Sequence, residues 1–356
     1  MLELPLLTVS GTARQMGRAQ GEALRAQIGA FVDQRLSALR GYLEERKQPA
    51  LFERFLATGQ ECLGLAQRFD AEAIEEHDGI AEAAGVDRAL LYAATNMTDL
   101  RDVLLLPKSP DREGCTSLLV PGARTRSGQL LAAQTWDLNP TDLDFVVAIQ
   151  RRPLAGPQTW AITCTGALSL IGMNEWGVAV GTTNIKTRAS RAGIGYLSVL
   201  HRAIRTRSRV EAQKLVQTAP LAAAHTYWLA DVQGACELEC DPDTRSAREL
   251  TLEPIVQTNH CQADVLSARE GEPPTSSSRA RLARALNELA RGNVDLKRVQ
   301  ELFADRSDGV DSINRYVEDD QGTSTNACIV CSPTERKLWA CRGSADRGRW
   351  EELSFS

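Results

Sequence analysis

Glu113-Gly114-Cys115-Thr116-Ser117-Leu118-Leu119-Val120 is the stretch at which the chain changes character. Before it runs Pro107-Lys108-Ser109-Pro110-Asp111-Arg112, a polar, proline-punctuated connector suited to an exposed position. After it come short runs rich in Val, Ile, Leu and Thr: Thr116–Val120, Leu130–Thr135, Phe145–Gln150, Thr159–Cys164 and Val178–Thr183. Gly or Pro separates them, which predicts a largely antiparallel sheet system.

Outward to the N-terminus the periodicity is helical. Leu24, Ile28, Phe31, Val32, Leu39 and Leu43 recur at spacings of three and four, and predict one helix from Thr12 to about Arg46. A second helix carries Leu51, Phe55, Leu56, Leu63 and Leu65, and a third runs through Ala73, Ile74 and Ile80 to Gly85 as its C-cap. Asp87 is a candidate N-cap for a short helix that follows. Outward to the C-terminus, Gly195 to about Arg207 and a segment opened by Ser208 and Glu211 predict two helices. Strands resume at His225–Ala230, Ala235–Cys240 and near Ile255–Thr258. Gln262 to Ser278 predicts a mobile loop, Ser278 to Arg291 a helix closed by Gly292, and Ala327–Cys331 with Lys337–Arg342 a closing hairpin. The class is α+β, with a helical segment 1–114 ahead of a mixed body 115–356.

A chain of 356 residues can bury a large core. Its net charge of −5, with acids and bases mixed, lacks the basic stripe that nucleic acid requires. No apolar run approaches the ~20 residues that span a bilayer. Nine cysteines, an odd number, and no basic leader at Met1 fit reduced thiols in the cytoplasm better than disulfides. Oligomeric state is left open, with homo-oligomers allowed.

Cys115 sits at the boundary with chemically useful neighbours. Gly114 leaves the preceding carbonyl sterically open and tolerates strained backbone. If the thiol attacks that carbonyl, the amide becomes a thioester that water can hydrolyse. The freed α-amine of Cys115, with a reference pKa of about 7.7–8.0, is then a general base for its own thiol. Such a nucleophile needs no histidine. Thr116 adds a hydroxyl beside the scissile bond.

Gly114-Cys115-Thr116-Ser117, followed by Gln134-Thr135-Trp136-Asp137, resembles the penicillin acyltransferase family of acyl-CoA:6-aminopenicillanic acid acyltransferase-like enzymes. These are N-terminal-nucleophile (Ntn) hydrolases of peptidase C45 type, more distantly similar to choloylglycine hydrolases and penicillin V acylases. Met16-Gly17, Gln20-Gly21, the block Gly172-Met173-Asn174-Glu175-Trp176-Gly177-Val178-Ala179-Val180 and Thr258-Asn259-His260-Cys261 extend the resemblance along nearly the whole chain.

The resemblance implies an αββα sandwich and a zymogen that cuts itself at Gly114-Cys115 into a small α and a larger β subunit. It implies that Cys115 is nucleophile and base, that Asp137 holds its amine and thiol, and that Asn259 donates to the oxyanion, with Asn184 as a second candidate. Each such donor is worth about 2.7–4 kcal/mol in the transition state. The substrate is an amide or an acyl-CoA thioester, with no metal or bound cofactor. The family arginine of the last strands aligns with Cys341, one residue before Arg342, and a one-residue shift turns a strand side chain to the other face. Gln134 replaces the arginine of choloylglycine hydrolases. Trp136, Phe145, Trp160 and Trp176 are candidate acyl-pocket residues, and core packing is the alternative for each. The Gln262–Ser278 loop is expected near the pocket mouth, where it would influence acceptor choice.

Three other readings compete. Cys236, Cys240, Cys261, Cys328, Cys331 and Cys341 with His260 suggest zinc, although Cys328 and Cys331 fall on opposite faces of a strand. Cys115 with His260 suggests a papain-like protease, without the local signature of one. The fold could also serve as a non-catalytic binding scaffold.

Overall fold

The computed structural model describes residues 1–104 and 114–355. The connector expected at 107–114 lies outside the described residues except for Gly114. Strand β1 (Leu6–Gly11) opens the chain. Six helices follow: α1 (Ala13–Ala23), α2 (Arg25–Glu45), α3 (Ala50–Phe69), α4 (Ala71–Ala84), α5 (Arg88–Thr95) and α6 (Met97–Val103). The body continues with β2 (Thr116–Val120), β3 (Leu131–Leu138), β4 (Val146–Pro153), β5 (Thr159–Cys164), β6 (Ile171–Asn174) and β7 (Ala179–Asn184). Helices α7 (Tyr196–Ala203) and α8 (Arg209–Thr218) precede β8 (His225–Asp231), β9 (Gly234–Cys240), β10 (Arg245–Glu249) and β11 (Ile255–Gln257). The chain ends with α9 (Asp264–Ser267), α10 (Ser276–Ala290), α11 (Leu296–Phe303), β12 (Ser324–Ser332), β13 (Lys337–Arg342) and β14 (Glu351–Ser354).

Two sheets form the centre. One has the order β1-β4-β5-β6-β7-β8-β9-β10, the other β11-β2-β3-β12-β13-β14. Strand alternation explains the layering. In the six-stranded sheet Leu118, Val120, Leu131, Ala133 and Val330 face outward, onto Ala285 and Leu289 of α10 and Val299, Leu302 and Phe303 of α11. Ala132, Trp136 and Ile329 face inward and share a core with Met173, Val180 and Trp228 of the eight-stranded sheet. The far side of that sheet is covered by α1, through Met16 on Val147 and Ile149, and by α7 and α8. The order is helices, sheet, sheet, helices, the αββα arrangement that the resemblance implies.

The helical leader is not a separate body. Ile28, Phe31, Val32 and Leu91 enter the same core as Phe145, Cys164 and Ala167. At about 1.5–3 kcal/mol for each large side chain buried, that shared core alone ties the two parts firmly.

Several expectations change. The helix expected from Thr12 to Arg46 breaks at Leu24 (φ −116°, ψ 20°) into α1 and α2. The break lets α1 lie against α4 at a separation only glycines allow. A Cβ on Gly17 would stand 2.0 Å from the Glu76 carbonyl oxygen, and one on Gly21 would stand 2.5 Å from that of Ile80. The Gln262–Ser278 segment contains α9 and the first turn of α10, which Thr275 caps by accepting from the Ser278 amide at 3.1 Å. The final hairpin does not end the fold, because β14 pairs with β13, Leu353 opposite Leu338. Asp87 caps α5 as expected, and Gly85 ends α4 in the left-handed region (φ 73°). All nine cysteines are free and buried.

Candidate functional site

Cys115 is the residue immediately before β2 and is buried. Its Sγ donates to the backbone oxygen of Asp137 at 3.6 Å. That contact follows from register: β2 and β3 are antiparallel neighbours with Thr116 opposite Thr135, so the start of β2 lies against the end of β3. Thr116 N donates to Thr135 Oγ1 at 3.1 Å and pins the junction.

The Asp137 side chain reaches the other side of the same junction. A Cβ on Gly114 would stand 2.4 Å from Asp137 Oδ2 and 2.9 Å from Arg315 Nε, so only glycine fits between them. Arg315 Nε lies 3.7 Å from Asp137 Oδ2. Burial pushes the Asp137 carboxyl up to about 6, against the opposing pull of Arg315 and Arg281.

Arg281, on the buried face of α10, completes the junction. Its Nη1 donates to Gly114 O at 2.7 Å, to Cys115 O, and to Thr116 Oγ1 at 3.1 Å. Its Nη2 donates to Asn259 Oδ1 at 3.0 Å, and its Nε to Ser277 Oγ at 3.2 Å. Arg315 Nη2 donates to the same Ser277 hydroxyl. Burial, with Arg315 alongside, lowers the Arg281 guanidinium to about 9, which leaves it cationic at neutral pH.

Asn259 follows β11 in a half-buried turn. With Oδ1 held by Arg281, its amide is oriented so that Nδ2 donates to Asn184 O at 3.0 Å. Asn184, at the end of β7, therefore meets Asn259 through its backbone oxygen. Cys115, Thr116, Asp137 and Asn259 thus belong to one hydrogen-bonded group, and Asn184 borders it.

Other candidates lie elsewhere. Arg342 donates from Nε to Leu143 O at 2.9 Å and from Nη2 to Asp144 at 2.7 Å, so its guanidinium is spent at the rim. The arginines beside the Gly114-Cys115 junction are Arg281 of α10 and Arg315, neither of them on the last strands. Trp136 and Phe145 join Cys115 in the central core, whereas Trp176 sits in the β6–β7 turn beneath Arg207, 4.7 Å from its ring. Trp160 donates to Ser354 O at 2.9 Å. Gln134 ties the two sheets: its amide bonds both backbone groups of Thr182, and its Oε1 accepts from Trp228 Nε1 at 2.6 Å. His260 Nδ1 pairs with Ser278 Oγ at 2.7 Å, which is a structural use of the ring the papain-like reading requires. Among the described residues no three His, Cys, Asp or Glu side chains gather as metal ligands would.

Arg281 had a signal in the sequence. It stands four residues before Ala285 and eight before Leu289, a cation in the apolar stripe of α10. A buried arginine at such a position needs a polar destination. Arg315 lies in an irregular segment and carries no such mark.

No curated protein matches the chain. Among solved structures, the R18L variant of conjugated bile acid hydrolase from Clostridium perfringens aligns at 10% identity and a TM-score of 0.46, over 68% of this chain and 97% of that one. Penicillin V acylase from Agrobacterium tumefaciens aligns at 12% identity and a TM-score of 0.43, over 68% and 86%. Likenesses at that level carry no weight by themselves. The model of acyl-coenzyme A:6-aminopenicillanic acid acyl-transferase matches residues 124–347, well over half of the chain. This protein therefore belongs to the acyl-coenzyme A:6-aminopenicillanic acid acyl-transferase family.

Proposed function

We propose that the chain is a self-cleaving cysteine amidohydrolase or acyltransferase that cuts Gly114-Cys115 and then works through an acyl-Cys115 intermediate. The observation that carries this reading is the double grip on one peptide bond. Arg281 holds its carbonyl oxygen at 2.7 Å, while Asp137 accepts from the Cys115 thiol and closes on Gly114 with its carboxylate.

After the cut, the Cys115 α-amine takes the proton of its own thiol, and the thiolate attacks the substrate carbonyl. Asp137 orients the amine rather than lowering its pKa, because a carboxylate favours the ammonium form. The Asn259 amide, fixed by Arg281, is the oxyanion donor, with Asn184 beside it. Water or an amine then takes the acyl group, so hydrolysis and transfer differ only in the second nucleophile. The substrate is a small amide or an acyl-CoA, and the α and β fragments remain together through their shared core.

The test is a panel of N-acyl amino compounds and acyl-CoAs, assayed with wild type and Cys115→Ala. The expected result is turnover by wild type alone, with the variant remaining one chain. Undiminished turnover by the variant would contradict the reading.

A further inference from the structure

Two cations, Arg281 and Arg315, stand at the junction beside the Asp137 carboxylate, and they are engaged differently. Arg315 lies along Asp137. Arg281 is fully buried, and its partners include the carbonyl oxygens on both sides of the scissile bond, two hydroxyls and an amide oxygen. A buried guanidinium already donating to a carbonyl oxygen stabilises negative charge that develops on that atom. It points at Gly114 O, the atom that becomes negative when Cys115 attacks its own preceding carbonyl.

We propose that Arg281 is the oxyanion donor of the self-cleavage step, a duty separate from the oxyanion donation of Asn259 during turnover. The inference rests on the self-cleavage reading above. The Cys115 thiol gives up its proton and Sγ bonds to the Gly114 carbon. The carbonyl electron pair moves onto Gly114 O, where Arg281 Nη1 already donates. Collapse breaks the C–N bond, and the Cys115 nitrogen takes up the proton the thiol lost. Water then adds to the thioester and releases the Gly114 carboxylic acid and the Cys115 thiol. Once Gly114 departs, Arg281 retains Cys115 O and Asn259 Oδ1, and so becomes a positioning residue for turnover.

The experiment follows cutting over time in full-length Arg281→Ala and Arg281→Lys, beside wild type and Cys115→Ala, by denaturing mass spectrometry. Loss of a preorganised oxyanion donor predicts cutting slowed roughly 100- to 1,000-fold in Arg281→Ala. Guanidinium ion at a non-denaturing concentration should restore much of the rate by entering the vacated space, and sodium at equal ionic strength should not. That rescue separates a lost donor from a failed fold, and native-like circular dichroism of the uncut variant provides a second check. Material cut under guanidinium and then dialysed should turn over substrate more slowly than wild type, because Asn259 has lost its anchor, yet measurably above Cys115→Ala. Wild-type cutting rates in Arg281→Ala would overturn the proposal. So would a folded variant that guanidinium does not rescue, or a dialysed enzyme as inactive as Cys115→Ala. A wild type that never cuts would instead remove the self-cleavage reading itself.

Discussion

Buried charge is used in two different ways in this molecule, at the seam between leader and body and at the Gly114-Cys115 junction. Across the seam each buried carboxylate has a nitrogen partner from the body. Arg35 of α2 forms a two-pronged bond to Asp142, at 3.0 and 2.7 Å. Glu76 of α4 accepts from Arg151 at 2.6 Å, and Asp99 of α6 bonds His225 at 2.6 Å. At the junction Arg281 and Arg315 both act on the Asp137 carboxylate. The electrostatics follow. Burial opposes the charge on Arg35, but Asp142 overrides it and raises the guanidinium, whereas Arg281 is lowered by burial and by Arg315. Balanced pairs have nothing left to offer a reaction and serve attachment. Arg281 instead donates to carbonyl oxygens at the junction, where a cation can stabilise a developing oxyanion.

Each prediction tests one side of that contrast. The largest effect is expected at Gly114. A Cβ there meets Asp137 Oδ2 at 2.4 Å, so Gly114→Ala must push the scissile carbonyl away from Arg281. Misplacement near 1 Å costs about 100-fold in rate, and cutting followed by gel or mass should slow by that order. Next is the seam. In a Cys115→Ala background, which keeps the chain whole, Arg35→Met strands the buried Asp142 carboxylate and should cost about 3–5 kcal/mol in urea denaturation. A loss under 1 kcal/mol would mean the pair does not hold the leader.

The junction carboxylate gives a pH signature. Its folded value of about 6 lies above the 3.8 of an ordinary aspartate, so between those values the folded chain keeps a proton the unfolded chain has lost. Stability should therefore fall as pH rises from about 4 to about 6, by ~3 kcal/mol over the full span. Asp137→Asn in the same uncut background should lack that contribution, seen as a smaller difference in urea midpoint between pH 4.5 and pH 7. A slope of opposite sign would mean the carboxyl is held down by its arginines. The smallest effect is expected at Arg342, whose partner Asp144 is exposed. Arg342→Ala should cost under ~1 kcal/mol and leave cutting unchanged.

Much of this architecture could be read from residues alone, and the misses have physical causes. Cys115, Asp137 and Asn259 stood out because their chemistry is carried by short local patterns, and the structure brings them into one group. Strand β1 was missed because only Val9 of its six residues is fully buried, so no apolar alternation marks it. The break at Leu24 is set by α4, whose backbone receives Gly17 and Gly21, and a helical stripe holds no record of that distant partner. Arg281 was overlooked although its place in an apolar stripe announced it. Arg342 looked plausible because alignment on a strand can slip by one, and one residue decides the face.

The central claim is that the Gly114-Cys115 bond breaks and that a new N-terminal cysteine results. Denaturing mass spectrometry of purified, active wild type tests it most directly. The account predicts two polypeptides, one ending at Gly114 and one beginning at Cys115. A single intact chain of 38.9 kDa with full activity would contradict it.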